Sequence, residues 1–292
     1  MAVAKGLHRP SGPVTRSLSL AAMLALSAGG ARAAAGAPDQ PLLVVHGDAS
    51  APYSALGADG QVTGLKIDML ELVAARAGIA IREQARPWQR AQSMVEHGEA
   101  DLLVIPETDE REAYAAFSRN ALFYDTTVVL YLRNEAAAPR IAAAKSVGDL
   151  DGLAFVEYLG DGVQRRLLTG QKVAHVKDRD TALRMLAAGH AEAYIDALLP
   201  ARQALARLSL DGLLDIRDIR PLDAYPYRIA IRRSLAEVDT LLARFDTAIE
   251  QASSDGSLDA VWRHYADGNR TDPSGAGLDA RPGTGADALG RR

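Results

Sequence analysis

The feature that most constrains the fold of this 292-residue chain is a regular alternation of short apolar runs with helix-like patterns. Residues 42–45 form an apolar run that predicts a buried strand. Residues 65–77 place apolar side chains at steps of three and four, which predicts a helix that ends at Gly78. Further strands begin at residues 80 and 101. Strands that alternate with helices favour a mainly parallel sheet covered by helices.

A second block of the same alternation follows a long β-branched segment at residues 125–133. Two such blocks predict an α/β protein with two lobes joined by crossing strands. The remaining predicted strands are 153–156, 173–176, 193–195, 213–219 and 227–232, and the remaining predicted helices are 88–96, 163–168, 180–188, 200–208, 235–252 and 258–265.

Both ends of the chain differ from this pattern. The first sixteen residues are basic, residues 17–30 are uncharged, and residues 31–33 read Ala-Arg-Ala. A basic region, a short apolar core and a small-residue site predict a secretory signal peptide at residues 1–33, and the apolar core is shorter than the ~20 residues of a membrane span. Residues 267–292 are rich in Gly, Pro, Asp and Ala without apolar periodicity, which predicts a disordered tail.

Composition excludes several classes of function. The chain has no cysteine, so it can form neither disulfides nor thiolate metal sites, and it has no cysteine nucleophile or lipid-bearing cysteine. A net charge of −4 gives no electrostatic reason to expect nucleic-acid binding. The histidines lack metal-ligand spacing, and no G-x-S-x-G motif occurs. We therefore expect no catalytic residues, no metal site and no cofactor.

Six short motifs occur in a fixed order between residues 42 and 265. The motifs are Ala51-Pro52-Tyr53 with Gly64-Leu65-Lys66-Ile67-Asp68, Trp88 with Gly98-Glu99-Ala100-Asp101, Thr108-Asp109-Glu110-Arg111 with Phe117-Ser118, Leu150-Asp151-Gly152, residues 189–196, and Asp255-Gly256-Ser257-Leu258 with Trp262 and Tyr265. In this order and spacing they resemble the family-3 extracellular solute-binding proteins of bacteria.

This resemblance implies a type II periplasmic-binding-protein-like fold whose two lobes close on a ligand about a hinge. Lobe 1 would comprise residues 41–124 and 226–266, and lobe 2 residues 125–225. The implied function is a monomeric, soluble periplasmic receptor that captures a small polar solute, either an amino acid or a related amine or carboxylate. The receptor would deliver this solute to an ABC transporter permease in the membrane.

Arg111 is the first candidate ligand-binding residue. Thr108 precedes it at a position where it can cap a short helix, whose free N–H groups and nearby guanidinium suit a carboxylate. The resemblance implies that Arg111 holds the α-carboxylate of the ligand, and Thr108 is a second candidate ligand-binding residue beside it. An alternative is that Arg111 pairs with a neighbouring acid such as Asp109.

The resemblance also implies that Asp196, at the end of a predicted strand, pairs with a ligand ammonium. The alternative is that Asp196 is the N-cap of the helix that follows it. Tyr53 and Trp88 are candidate aromatic walls for the apolar or cationic part of a ligand. Tyr53 follows Pro52 in a loop, which favours the cleft, whereas Trp88 begins a helix and suits packing equally well.

Glu157 and Tyr158 follow the predicted strand at 153–156, where ligand contacts of the family also occur. A glutamate there would repel a carboxylate and attract a cation, and Pro106 removes an N–H donor close to Arg111. These two departures favour a cationic or differently shaped solute over a plain α-amino acid.

Two other functions stay open at this point. Some relatives resemble cyclohexadienyl dehydratases, which add a catalytic glutamate shortly after the lobe-2 aspartate. Here Asp196 is followed by Ala197-Leu198-Leu199-Pro200, which carries no carboxylate. The third class is a partner-binding module that keeps the fold without the ligand.

Overall fold

The structure is a computed structural model that describes residues 40–47, 49–57, 60–218 and 224–268. The predicted signal peptide and residues 269–292 of the predicted tail lie outside the described residues. In chain order the strands are β1 (Leu42–Gly47), β2 (Ala49–Ser50), β3 (Ser54–Leu56), β4 (Val62–Thr63), β5 (Ile81–Arg86), β6 (Leu102–Pro106), β7 (Ala115–Phe117), β8 (Phe123–Asp125), β9 (Thr127–Leu132), β10 (Ala154–Tyr158), β11 (Lys172–Val176), β12 (Ala193–Ala197), β13 (Leu214–Asp218) and β14 (Tyr225–Arg232).

Helices separate most of these strands, as the alternation predicts. The helices are α1 (Leu65–Ala77), α2 (Trp88–Glu96), α3 (Asp109–Glu112), α4 (Ala138–Ala143), α5 (Gly162–Leu167), α6 (Arg179–Ala187), α7 (Leu198–Leu208), α8 (Val238–Ser254) and α9 (Ser257–Gly268), with a 3-10 turn at Val147–Leu150. No helix in the described ranges is long and apolar enough to cross a membrane.

The strands form two main sheets. The first has the order β5-β1-β6-β14-β7, with β8 also paired to β14, and the second has the order β11-β10-β12-β9-β13. A third, small sheet contains β2, β3 and β4. The fold is therefore the predicted α/β architecture with two lobes.

Each main sheet is parallel on one side and antiparallel on the other, which is more mixed than the sequence alternation predicts. Strand β1 runs parallel to β5 and β6, and β10 runs parallel to β11 and β12. Strands β9 and β14 run antiparallel to their neighbours. These two strands follow the places where the chain passes from one sheet to the other, so they do not arise from a strand–helix–strand crossover within one sheet.

Helices cover both faces of each sheet. Alternate residues of β1 face opposite sides, since Val44 packs in a cluster with α1 and α8 and Val45 packs with α2. In the second sheet, Val129 packs in the cluster that contains α4, whereas Val128 packs with α6 and α7. The apolar runs that the sequence shows are thus buried on both sides.

The chain crosses between the two sheets at two places. Strand β8 of the first sheet is separated from β9 of the second by Thr126 alone. The return crossing lies between β13 and β14 and includes residues 219–223, which are outside the described residues. The first crossing brings strand ends of the two sheets together, which is where α/β proteins bind ligands.

Candidate functional site

A cavity of about 50 Å³ lies between strand ends of the two sheets. Its walls come from both sheets and from the crossing at β8 and β9. Five of the seven predicted site residues line it: Tyr53, Trp88, Arg111, Tyr158 and Asp196. The structure does not bring Thr108 or Glu157 to this wall.

Arg111 is buried, and its guanidinium is held by uncharged acceptors. Nη1 donates to the carbonyl oxygen of Pro106 at 2.8 Å, Nη2 to that of Gly160 at 3.3 Å, and Nε to Oε1 of Gln92 at 3.2 Å. Within the described ranges Arg111 has no acidic partner, and the alternative partner Asp109 is exposed. The positive charge at this wall of the cavity is therefore not neutralised by a carboxylate.

Thr108 occupies the N-cap position of α3, where the sequence places it. Its backbone carbonyl accepts hydrogen bonds from the N–H groups of Arg111 and Glu112, both at 2.9 Å, but its side chain makes no capping bond. The Oγ1 atom is buried without a hydrogen-bond partner in the described chain. A methyl group added to Gly162 would lie 3.4 Å from both this atom and Cζ of Arg111, so the start of α5 approaches them closely.

Tyr53 lies in the turn between β2 and β3 and is hydrogen-bonded to the end of β8, next to the first crossing. Its hydroxyl donates to the buried carboxylate of Asp125, which also accepts from the N–H groups of Thr126 at 2.7 Å and Leu199 at 3.1 Å. Burial raises the pKa of Asp125 to about 6, although these hydrogen bonds oppose the shift. Tyr53 also packs against Tyr227, with ring centroids 5.0 Å apart.

Trp88 lines the cavity and contacts the loop that follows β10 of the second sheet. Its Nε1 donates to the carbonyl oxygen of Gly160 at 2.9 Å, and Nε2 of Gln92 donates to the same oxygen at 3.0 Å. With Arg111, three donors from the first sheet's side thus converge on one carbonyl of the loop after β10. Gly160 has φ +92°, and a Cβ there would lie 2.9 Å from the Gln92 amide and 3.0 Å from the indole. The close approach requires glycine at this position.

Asp196 is engaged in a buried ion pair that the sequence analysis did not identify. Arg179 donates from Nε to Oδ2 of Asp196 at 2.6 Å and from Nη2 to Oδ1 at 3.1 Å. The hydroxyl of Tyr194 donates to Oδ2 at 2.9 Å. Burial opposes the charge of Arg179, but Asp196 outweighs it and raises the pKa of Arg179 well above its usual range. Ala197, not Asp196, is the N-cap of α7, so the N-cap alternative is wrong.

Glu157 and Tyr158 point to opposite sides of strand β10. Tyr158 lines the cavity, and its ring lies 5.3 Å from Cζ of Arg179. The Glu157 carboxylate faces Nδ1 of His175 on the neighbouring strand at 3.2 Å. Burial raises the pKa of Glu157. The expectation that Glu157 attracts a ligand cation therefore has no support from its position, because side chains alternate along a strand.

Lys66 also lines the cavity, although its place in the motif at residues 64–68 does not predict a ligand contact. Its Nζ lies 5.1 Å from the ring centroid of Tyr53, 5.6 Å from that of Trp88 and 4.9 Å from that of Tyr227. Burial, with Arg111 and Arg179 nearby and Asp161 opposing, lowers the pKa of Lys66 to about 7. The sequence does contain one indication that Lys66 is unusual: it is a lysine in the first turn of α1, on a helix face that is otherwise apolar.

Arg179 is the second residue that sequence reasoning missed. It begins helix α6 directly after the capping residue Asp178, whose carboxylate accepts from the N–H of Thr181 at 2.8 Å. An arginine at a helix start is usually exposed, and no local pattern distinguishes this one. Within the described residues, no group of three or more His, Asp or Glu side chains could hold a metal ion.

A family model for bacterial extracellular solute-binding proteins, family 3, matches residues 42–268. The chain belongs to this family. The match covers nearly all of the described residues, and the family confirms the resemblance carried by the six motifs.

This family-3 protein is also similar to named proteins at low sequence identity. A probable histidine-binding protein from Neisseria gonorrhoeae is 22% identical over 253 residues, which covers 83% of this chain and 91% of that protein. A crystal structure of a histidine kinase sensor domain with similarity to periplasmic binding proteins has a TM-score of 0.66 at 21% identity, and covers 77% of this chain and 96% of that chain.

A third relative is the arginine-, lysine-, histidine-binding protein ArtJ from Geobacillus stearothermophilus. Its TM-score to this family-3 protein is 0.64 at 18% identity, over 77% of this chain and 95% of that chain. At these identities the two solved structures support the fold of this protein, and the ligand has to be inferred from its own cavity.

Proposed function

We propose that this protein is a receptor that captures a small carboxylate-bearing solute between its two lobes and delivers it to an ABC transporter permease. The observation that carries the proposal is Arg111. Its buried guanidinium faces the cavity and is held by two backbone carbonyls and an amide, none of which neutralises it. A guanidinium in that state is a strong site for a carboxylate.

The proposal also assigns the boundaries of the two lobes and the position of the hinge between them. Lobe 1 would contain residues 41–124 and 226–266, and lobe 2 residues 125–225. The hinge would lie at the two crossings, and closure would bring Gly160 against the donors of the first lobe. A hinge of this kind sequesters the ligand from water, which strengthens its contacts with buried charges.

The site of action would be the periplasm. We propose that residues 1–33 direct export and are removed, and that the mature chain acts as a soluble monomer without a lipid anchor. Its N-terminal residue, determined by mass spectrometry of the protein from a periplasmic extract, should be Ala34. A product that keeps residues 1–33, or that stays with the cytoplasmic fraction, would contradict this part of the proposal.

Ligand capture can be tested with the purified mature chain. Native mass spectrometry should detect a co-purified small solute, and a thermal-shift screen of amino acids, polyamines and organic acids should identify compounds that raise the melting temperature. Arg111→Met should abolish both signals, whereas Arg82→Met, an exposed arginine on β5, should keep them. If no compound of the library shifts the wild-type protein and none co-purifies, the receptor function is wrong.

Delivery to a permease and the enzyme alternative need separate measurements. A source strain that lacks the gene should lose uptake of the identified ligand and regain it with the wild-type gene, but not with Arg111→Met.

The dehydratase alternative predicts phenylpyruvate formation from prephenate. We propose that the protein is not an enzyme, so we expect none, and a turnover that depends on Arg111 would establish the enzyme instead.

A further inference from the structure

The ammonium group of Lys66 sits in a box formed by the rings of Tyr53, Trp88 and Tyr227. The three ring centroids lie between 4.9 and 5.6 Å from Nζ, within the range of a cation–π contact. Only 7% of Lys66 is exposed, and it makes no hydrogen bond or ion pair in the part of the chain that the structure describes. Its three donor hydrogens are therefore available to the cavity that it lines.

The backbone fixes Lys66 against this box. The N–H of Leu65 donates to the carbonyl of Pro52 at 2.9 Å, and the N–H of Lys66 donates to the carbonyl of Tyr53 at 3.0 Å. Gly64 makes this possible, because a Cβ at that position would lie 2.6 Å from the Tyr53 carbonyl oxygen. The start of α1 is thus hydrogen-bonded directly to the Tyr53 loop, and Lys66 lines the cavity.

A ligand cation would meet two obstacles in this cavity. The aromatic rings that would attract it already surround Lys66. The carboxylate that would pair with it, Asp196, is already joined to Arg179 by two hydrogen bonds. A basic amino acid would have to displace one of these two cations or lie beside it, which costs electrostatic free energy in a buried site.

The other carboxylates that line the cavity also have partners. Asp161 accepts from the N–H groups of Val163 and Gln164 at the start of α5. Asp125 accepts from a tyrosine hydroxyl and two N–H groups. Among the described residues, the cations Arg111 and Lys66 have no acidic hydrogen-bond partner, and they approach the same indole of Trp88 at 5.9 and 5.6 Å.

We propose that Lys66 is the specificity-determining residue of this cavity and that it selects a short dicarboxylate, with one carboxylate on Arg111 and the other on Lys66. This inference rests on the proposed receptor function and names its ligand class. The two cations approach the same indole of Trp88, at 5.9 and 5.6 Å, so the two carboxylates that they bind have to lie close together on a short chain. Both contacts are charge-assisted hydrogen bonds in a buried site, where they are strongest.

Ligand binding should then take up protons. The charged groups near Lys66 are Arg111 and Arg179, which lower its pKa, and Asp161, which raises it; with burial the pKa is about 7. A bound carboxylate adds a negative charge at Nζ and raises that pKa. At pH 8 the free protein therefore carries a mostly neutral Lys66, which gains a proton when a dicarboxylate binds.

The test is isothermal titration calorimetry of the mature protein at pH 8 with succinate, glutarate, butyrate, L-arginine and L-histidine. Succinate or glutarate should bind at least about 30-fold more tightly than either basic amino acid. Lys66→Met should weaken dicarboxylate binding by about 30-fold but change butyrate binding less than threefold, since butyrate needs Arg111 alone. Lys172→Met, which removes an exposed lysine from β11, should bind like the wild type.

Proton uptake gives an independent measurement that requires no variant. Titrations in two buffers of different ionisation enthalpy should show uptake of close to one proton per dicarboxylate in the wild type, and none in Lys66→Met. Tighter binding of L-arginine or L-histidine than of every dicarboxylate would overturn the inference and leave the receptor function standing. Unchanged dicarboxylate affinity in Lys66→Met, or no proton uptake by the wild type, would also overturn it.

Discussion

Two buried arginines line the same cavity from opposite sides and differ in their partners. Arg179, on the side of the second sheet, shares two hydrogen bonds with Asp196 and is neutralised by it. Arg111, on the side of the first sheet, is held only by carbonyl and amide oxygens. Although both residues are buried arginines, one forms a structural ion pair and the other keeps a charge that no carboxylate neutralises. The partner, not the arginine, decides which residue is available to a ligand.

The largest expected effect is a difference in the free energy of unfolding between variants of the two arginines. Arg179→Met leaves Asp196 buried without its counter-charge, so the free energy of unfolding in urea should fall by about 3–5 kcal/mol. Arg111→Met removes only hydrogen bonds to neutral acceptors and should cost less than about 2 kcal/mol. Adding Asp196→Leu to Arg179→Met should restore most of the loss, because a buried ion pair can be replaced by apolar residues. Equal losses in the two single variants would remove the distinction.

A second prediction concerns the contact between the Gly160 carbonyl and the side chains of Trp88, Gln92 and Arg111 across the cavity. Gly160→Ala places a methyl group 2.9 Å from the Gln92 amide and 3.0 Å from Trp88, so the lobes should no longer close fully. Ligand affinity should fall about tenfold or more, and the radius of gyration with ligand, measured by small-angle X-ray scattering, should exceed that of the wild type.

The matched control for this variant is Gly152→Ala. Gly152 has φ +84°, close to the +92° of Gly160, but an added Cβ there meets no atom within 4 Å. Both variants carry the same kind of backbone strain, and only Gly160→Ala obstructs closure. An equal affinity loss in both would show that strain, and not the contact across the cavity, is responsible.

A third prediction uses pH to sharpen the difference between a paired and an unpaired cation. The pKa of Lys66 is lowered in the folded state to about 7, so the folded protein binds fewer protons than the unfolded chain between pH 7 and about 10.4. Stability should therefore rise with pH in this window, with a contribution of at most about 1.4 kcal/mol per pH unit. Lys66→Met should lose this rise, and Lys172→Met should keep it.

The smallest effect is expected on the outer side of β10. Glu157→Gln changes a carboxylate that faces His175 and not the cavity, so ligand affinity should stay within about twofold of the wild type. Tyr158→Phe, one residue further, should weaken binding measurably, since Tyr158 lines the cavity beside Arg179. A large loss of ligand affinity in Glu157→Gln, measured in the same titration, would show that Glu157 does contribute to ligand binding.

The sequence predicts much of the fold because strand and helix patterns are local. The helix predicted at 65–77 coincides with α1 (Leu65–Ala77), and the helix at 88–96 coincides with α2 (Trp88–Glu96). The helix predicted at 235–252 forms as α8 (Val238–Ser254), displaced because Glu237 has φ +58° and starts it later. The mixed strand directions were not predicted, since apolar runs do not reveal the direction in which a strand enters a sheet.

The sequence by itself determined the α/β alternation, the family and five residues of the cavity wall. The alternation depends on periodicity, whereas the family and the candidate residues were predicted from the resemblance of six motifs and, in part, from the position of strand ends. Only the tertiary structure decided the charges of the cavity. Asp196 is neutralised by Arg179, seventeen positions away, and Lys66 is enclosed by rings from three separate segments. Such pairings join side chains that no local pattern relates, and burial then sets their energies and their pKa values.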